Sequence, residues 1–132
     1  MRKTMVPLLL LLLEILLLLL PGCPAVSHRI SETDVKDVIL WKNGPDSKQI
    51  TLNREEIALF LEFYNGAKYR GKGDGSGGTA EWGAVIIRQD GMEIRIHEFW
   101  NSDFEVSCNP LGWWFYLDSG ELAEFMETRL EA

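Results

Sequence analysis

Residues 82–99 read Trp82-Gly83-Ala84-Val85-Ile86-Ile87-Arg88-Gln89-Asp90-Gly91-Met92-Glu93-Ile94-Arg95-Ile96-His97-Glu98-Phe99, and this stretch decides the fold class. Two β-branched runs on either side of Asp90-Gly91 are the signature of an antiparallel hairpin closed by a two-residue turn. Such a turn pairs Gln89 with Met92, Ile87 with Ile94 and Val85 with Ile96, an apolar face that belongs to the core. It also pairs Arg88 with Glu93, Ile86 with Arg95, Ala84 with His97 and Trp82 with Phe99 on a second, half-polar face. Opposite charges facing each other across strands add about 0.2–1 kcal/mol per pair.

Working outward, residues 35–42 are β-branched and aromatic enough for a strand, and 48–52 for its hairpin partner. Asn43-Gly44-Pro45-Asp46 between them is turn chemistry. Asn53 then opens a helix. Its side chain can take the Glu56 amide while Glu56 reaches back, and Leu52 and Ile57 bracket this capping box as a hydrophobic staple. Ile57, Phe60, Leu61 and Tyr64 form one apolar stripe, widened by Leu59 and Phe63, and Asn65-Gly66 is a stop signal. Residues 104–108 and 113–117 read as strands joined by Asn109-Pro110-Leu111-Gly112. Asp118 with Glu121 repeats the capping box, Leu117 with Leu122 the staple, and Leu122, Phe125, Met126 and Leu130 the buried stripe of a last helix. The expected architecture is therefore α+β: an antiparallel sheet of about six strands in the order β-β-α-β-β-β-β-α, with both helices on one face. Tandem strands joined by tight turns require no parallel crossover.

Residues 71–78, Gly-Lys-Gly-Asp-Gly-Ser-Gly-Gly, satisfy a Gly-x-Gly-x-x-Gly pattern at Gly73, Gly75 and Gly78. A dinucleotide site needs that pattern after a strand and at the start of a helix, so that phosphate meets the helix N-terminus. Here it follows a helix and precedes a strand. No Gly-Lys-Ser/Thr phosphate loop is present, and Asp74 alone makes no calcium loop. The expectation is a flexible surface loop.

At the N-terminus, Arg2 and Lys3 precede an apolar run at 6–20, interrupted by Glu14. Fifteen residues of helix reach roughly 22 Å, short of the roughly 30 Å hydrocarbon core, and match a secretory signal rather than a permanent span. Leu20-Pro21-Gly22-Cys23 resembles the lipobox of bacterial lipoproteins, with Pro21 departing from the residues usual at its place. An ordinary signal cut after Ala25 is the alternative. With this segment, the capped helix at 50–57, the Asp90-Gly91 hairpin and the closing strand and helix, the chain resembles the small lipoproteins of monoderm bacteria. The resemblance implies a lipid on Cys23, removal of 1–22, a tether over 23–34 and one α+β domain over 35–132. It implies location at the extracytoplasmic face of the cell membrane and no activity.

Removing residues 1–22, which hold Arg2, Lys3 and Glu14, takes the net charge from −7 to −8 over the remaining 110 residues. That length supports a core without disulfides; with Cys23 acylated, Cys108 has no partner for one. The acidity argues against nucleic acid, whose phosphates demand Lys and Arg, and leaves the lipid as the membrane contact. Catalysis would have to draw on Cys108 and His97 with Asp103 as orienter, yet no spacing brings them together, and an isolated cysteine is usually a small buried hydrophobe. No paired Cys/His spacing suggests a metal. No catalytic residue and no cofactor is expected.

The aromatic residues carry the remaining signal. Trp82, Phe99 and Trp114, with Arg88, Arg95 and His97, are the candidate binding residues, either as an exposed patch or as a second layer of core. The leading expectation is a membrane-anchored binding protein without catalytic activity, its partner a protein or a cell-wall glycan. The alternative is an inhibitor or immunity-type protein that blocks an extracytoplasmic enzyme.

Overall fold

The computed structural model describes residues 11–12, 28–73, 80–100, 102–109 and 112–131. The rest of the signal segment, Cys23, residues 74–78 of the glycine run and Pro110-Leu111 lie outside the described residues. A short 3-10 turn, Glu32–Asp34, leads into β1 (Val35–Lys42) and β2 (Lys48–Thr51), then α1 (Arg54–Gly66) and β3 (Lys68–Lys72). The chain continues through β4 (Trp82–Arg88), β5 (Glu93–Trp100), β6 (Asp103–Asn109), β7 (Trp113–Asp118) and α2 (Gly120–Glu131). The fold is α+β, with all seven strands in one antiparallel sheet ordered β2-β1-β4-β5-β6-β7-β3. No helix among the described residues is long and apolar enough to cross a membrane.

One strand more than expected is present. β3 reads Lys-Tyr-Arg-Gly-Lys, has no apolar alternation, and is exposed at most of its positions. Its backbone bonds to β7 hold it at the sheet edge, where lysines also discourage a further strand from adding. Because β2 and β3 occupy opposite edges, α1 joins the two sides of the sheet. Thirteen residues of helix span about 20 Å, against about 29 Å for six strand spacings.

Both helices pack on the same face. Ile57, Phe60, Leu61 and Tyr64 of α1 and Leu122, Phe125, Met126 and Leu130 of α2 share one core with Val38, Leu40, Ala84, Ile86, Ile94, Ile96, Phe104, Val106, Phe115 and Leu117. Leu59, which the apolar stripe suggested as core, is instead 38% exposed. The α1 capping box forms as the spacing predicts: Asn53 Oδ1 accepts from the Glu56 amide at 2.9 Å, and Glu56 Oε1 accepts from the Asn53 amide at 3.1 Å. At α2 the cap lies one residue later than expected. Ser119 Oγ accepts from the Leu122 amide at 3.0 Å, while Asp118 ends β7 and pairs with Arg70 and Ser102.

The central hairpin corrects the expected register by one residue. The β4 and β5 partners are Gly83 with His97, Ala84 with Ile96, Val85 with Arg95, Ile86 with Ile94 and Ile87 with Glu93. The loop holds three residues, not two. The Gly91 amide donates to the Arg88 carbonyl at 3.1 Å, the Arg88 amide to the Met92 carbonyl at 2.9 Å, and Gly91 sits at φ +87°. This is a type I turn closed by a left-handed glycine, the usual three-residue hairpin. A slip of one residue turns a whole strand over. Ala84 and Ile86, not Val85 and Ile87, therefore face the helices.

Candidate functional site

The sheet face away from the helices carries the candidate site. Alternation and register place three rows of side chains there. Asp37, Ile87 and Glu93 form one row, and Ile39, Val85, Arg95, Ser107 and Trp114 the next. The third row runs Trp41, Gly83, His97, Glu105, Tyr116 and Gly71, from β1 across to β3.

Three rings join along this face. Trp41 meets His97 edge-on at 5.7 Å between centroids, and His97 lies 6.4 Å from Trp114. Gly83 makes the first contact possible, because a Cβ there would overlap the Ile96 carbonyl oxygen and stand 2.7 Å from Trp41 Cζ2. The indole lies in the space that a side chain would fill. His97 is partly buried, and its pKa is held below the ordinary imidazole value, first by burial and then by the charge of Arg95.

Glu105 and Ser107 share this face and are nonetheless 3% and 2% exposed. Glu105 sits between His97 and Tyr116, and Ser107 between Arg95 and Trp114, in the neighbouring strands. Sequence reading passed over both, since a polar residue alternating with Phe104, Val106 and Cys108 reads as solvent-facing. Trp41 and Tyr116 were also missed as site residues. Each sits in a strand with apolar or aromatic side chains at successive positions, where alternation cannot separate the faces.

A cleft of 280 Å³ opens where this face meets the β3 edge, lined by Arg70, Phe99, Asp103 and Tyr116. Phe99 lies at a bulge in β5, 46% exposed, with its ring 5.4 Å from that of Tyr116 and tilted by 41°. Trp100 beside it is 69% exposed. Arg70 Nη2 donates to Asp118 Oδ2 at 2.7 Å, and Ser102 Oγ donates to Asp118 Oδ1 at 2.5 Å. These bonds, Arg70 first and Ser102 second, hold the Asp118 carboxyl below the ordinary carboxylate range.

Of the six residues expected from sequence, four gather here: Arg95, His97, Trp114 and Phe99. Two do not. Trp82 and Arg88 lie on β4, which the register shift turned over. Trp82 packs edge-on against buried Phe104 at 5.8 Å, and Arg88 pairs with Asp90 at 3.3 Å, close enough to Tyr64 to influence its ionisation. Cys108 is buried on the helix side, across the sheet from His97, so the Cys108, His97 and Asp103 set is not assembled.

His28, read from sequence as part of the tether, is docked against the domain. Its Nε2 donates to the Tyr64 carbonyl at 2.8 Å, its ring meets Tyr64 edge-on at 5.2 Å, and burial lowers its pKa. Asn65 exchanges two bonds with the Ile30 backbone at 2.8 and 2.9 Å. These contacts engage the end of α1, where helix carbonyls lack internal partners.

A scan of protein-family models, a search of curated proteins and a search of solved structures each found no match to this chain.

Proposed function

We propose that this protein is an extracytoplasmic binding protein, anchored to the cell membrane through a lipid on Cys23, and that it holds its partner with the helix-free sheet face. The observation carrying this reading is the one-sided helical layer. Both helices bury the same face, while Trp41, His97, Trp114, Phe99 and Tyr116 remain partly or largely exposed on the other. Aromatic rings beside Arg and carboxylate groups are the usual composition of a binding hot spot. Removing water from flat aromatic surface supplies affinity, and the rigid sheet limits the entropy lost on binding.

The test uses the full-length protein, with the partner captured by crosslinking on intact cells. Trp114→Ala and Phe99→Ala should each abolish capture, whereas Leu59→Ala, exposed on the helix side, should leave it intact. Capture that survives both face variants would sink the proposal. Cys23→Ala should release the protein from the membrane; retention would overturn the anchor.

The acidity of the chain favours a second reading, an inhibitor or immunity-type protein for a basic extracytoplasmic enzyme. Glu121, Glu124, Glu127 and Glu131 all lie exposed on α2. If those charges form the contact, reversing them should abolish capture, and the sheet-face variants should not.

A further inference from the structure

The cleft at the β3 edge narrows what the open face holds. We infer that Arg70, Phe99, Asp103 and Tyr116 form a subsite for one sugar ring, an inference that rests on the open face being the binding face.

Three observations converge on that chemistry. Charge comes first. Arg70 is already bound to Asp118, which Ser102 also holds, and Asp103 adds a further carboxylate to the lining of the same cleft. An anionic ligand would meet the Asp103 carboxylate lining the cleft and Asp118 behind Arg70. A cationic one would approach a half-exposed guanidinium, since the Arg70 side chain is 50% exposed. A neutral ligand disturbs neither.

Polarity comes second. The cleft presents N–H donors from Arg70 and carboxylate acceptors from Asp103 within one small space. A polyhydroxylated ring can both donate and accept at every hydroxyl, and planar charged side chains form the stronger hydrogen bonds. The Arg70–Asp118–Ser102 chain fixes the guanidinium before the ligand arrives, which lowers the entropy lost on binding.

Shape comes third. Phe99 and Tyr116, tilted by 41°, make an open wedge of aromatic surface. The apolar C–H face of a sugar stacks on such a surface while its hydroxyls point to the polar wall. The volume, 280 Å³, falls just below the roughly 300–1,000 Å³ of small-molecule sites, so it suits a single ring.

The cleft is not isolated. Tyr116 begins the row that passes Glu105 to His97, and Trp41 and Trp114 flank His97. A saccharide chain seated at the cleft can therefore continue along further rings, and a linked oligosaccharide should bind more tightly than its monomer.

The experiment uses full-length protein in a zwitterionic detergent without sugar head groups. It is titrated with N-acetylglucosamine, its β-1,4-linked tetramer and an α-1,4-linked glucose tetramer, followed by tryptophan fluorescence and saturation-transfer NMR. At least one tetramer should bind. Phe99→Ala should weaken it about threefold to tenfold, the size of one aromatic stacking contact, without lowering the melting temperature. Asp103→Asn, which keeps the shape and removes the charge, should weaken it as well, and Leu59→Ala should not. A tetramer binding at least tenfold better than the monomer assigns the site to a glycan chain; equal affinities assign it to a single sugar. No binding of either tetramer at about 10 mM, beyond the weakest useful affinity, would overturn the inference. So would binding that Phe99→Ala leaves unchanged. If cellular capture still depends on Trp114 and Phe99 while no sugar binds, the sheet-face reading stands and the sugar subsite alone falls.

Discussion

Gly83 shows how much one residue can decide. It lies in a central strand between Trp41 and His97, and the missing side chain lets the indole cross the strand and reach the imidazole. Gly83→Ala should therefore destabilise the protein by about 2–4 kcal/mol, since the new methyl meets a backbone carbonyl that cannot yield. Loss of the Trp41 contact should also shift the indole fluorescence. A variant with unchanged melting temperature would mean that the strand accommodates the methyl. In the sequence this glycine is one small residue in an apolar run, and its partner lies 42 positions earlier. Nothing local marks it.

The β4–β5 hairpin decides which side chains face which way. Residues 82–87 are apolar at every position, so Trp82-Ala84-Ile86 and Gly83-Val85-Ile87 are both acceptable core sets by periodicity. The choice rests with the three-residue turn and with β1, which pairs Val38 with Ile86 and Leu40 with Ala84. A direct check compares two neighbouring isoleucines. Ile86→Ala, at a position fully shielded from solvent, should cost about 2–5 kcal/mol, while Ile87→Ala on the open face should cost under about 1.5 kcal/mol. A two-residue turn would reverse that order. The helices were more legible, because Asn53, Glu56, Leu52 and Ile57 act within one turn and need no distant partner.

Across the whole molecule, pH should act through two groups of residues. Burial lowers the pKa of His28 and of His97, so the folded chain resists their protonation. Above the ordinary value of 6.5 both states are neutral and stability is level. As pH falls below it, the unfolded chain takes up protons first and stability declines, until the folded histidines also protonate. Asp118, lowered by Arg70 and Ser102, and Glu56, lowered by the Asn53 amide and Arg129, act further down. Their contribution is present above the ordinary carboxylate values of 3.8 and 4.5 and is lost as pH falls through the folded ones. The melting temperature should therefore fall in two stages on acidification. The double variant His28→Gln, His97→Gln should remove the upper stage, and a flat profile between pH 7.5 and 5.5 in the native chain would contradict the assignment.

The sequence alone determined the fold class, the two helices with their buried stripes and six of the seven strands. Each rests on signals within about a dozen residues: caps, staples, turn residues and hydrophobic period. Tertiary structure decided the rest. It turned β4 over, moved Trp82 and Arg88 to the helix side, docked His28 on α1, and recruited Lys68–Lys72 as an edge strand by backbone bonds that its side chains do not announce. It also assembled the open face, bringing Trp41, His97, Glu105 and Tyr116 into one row from four strands. Local patterns record which residues prefer water. The side of a uniformly apolar strand, and the neighbours it meets there, follow only from the register that the whole sheet imposes.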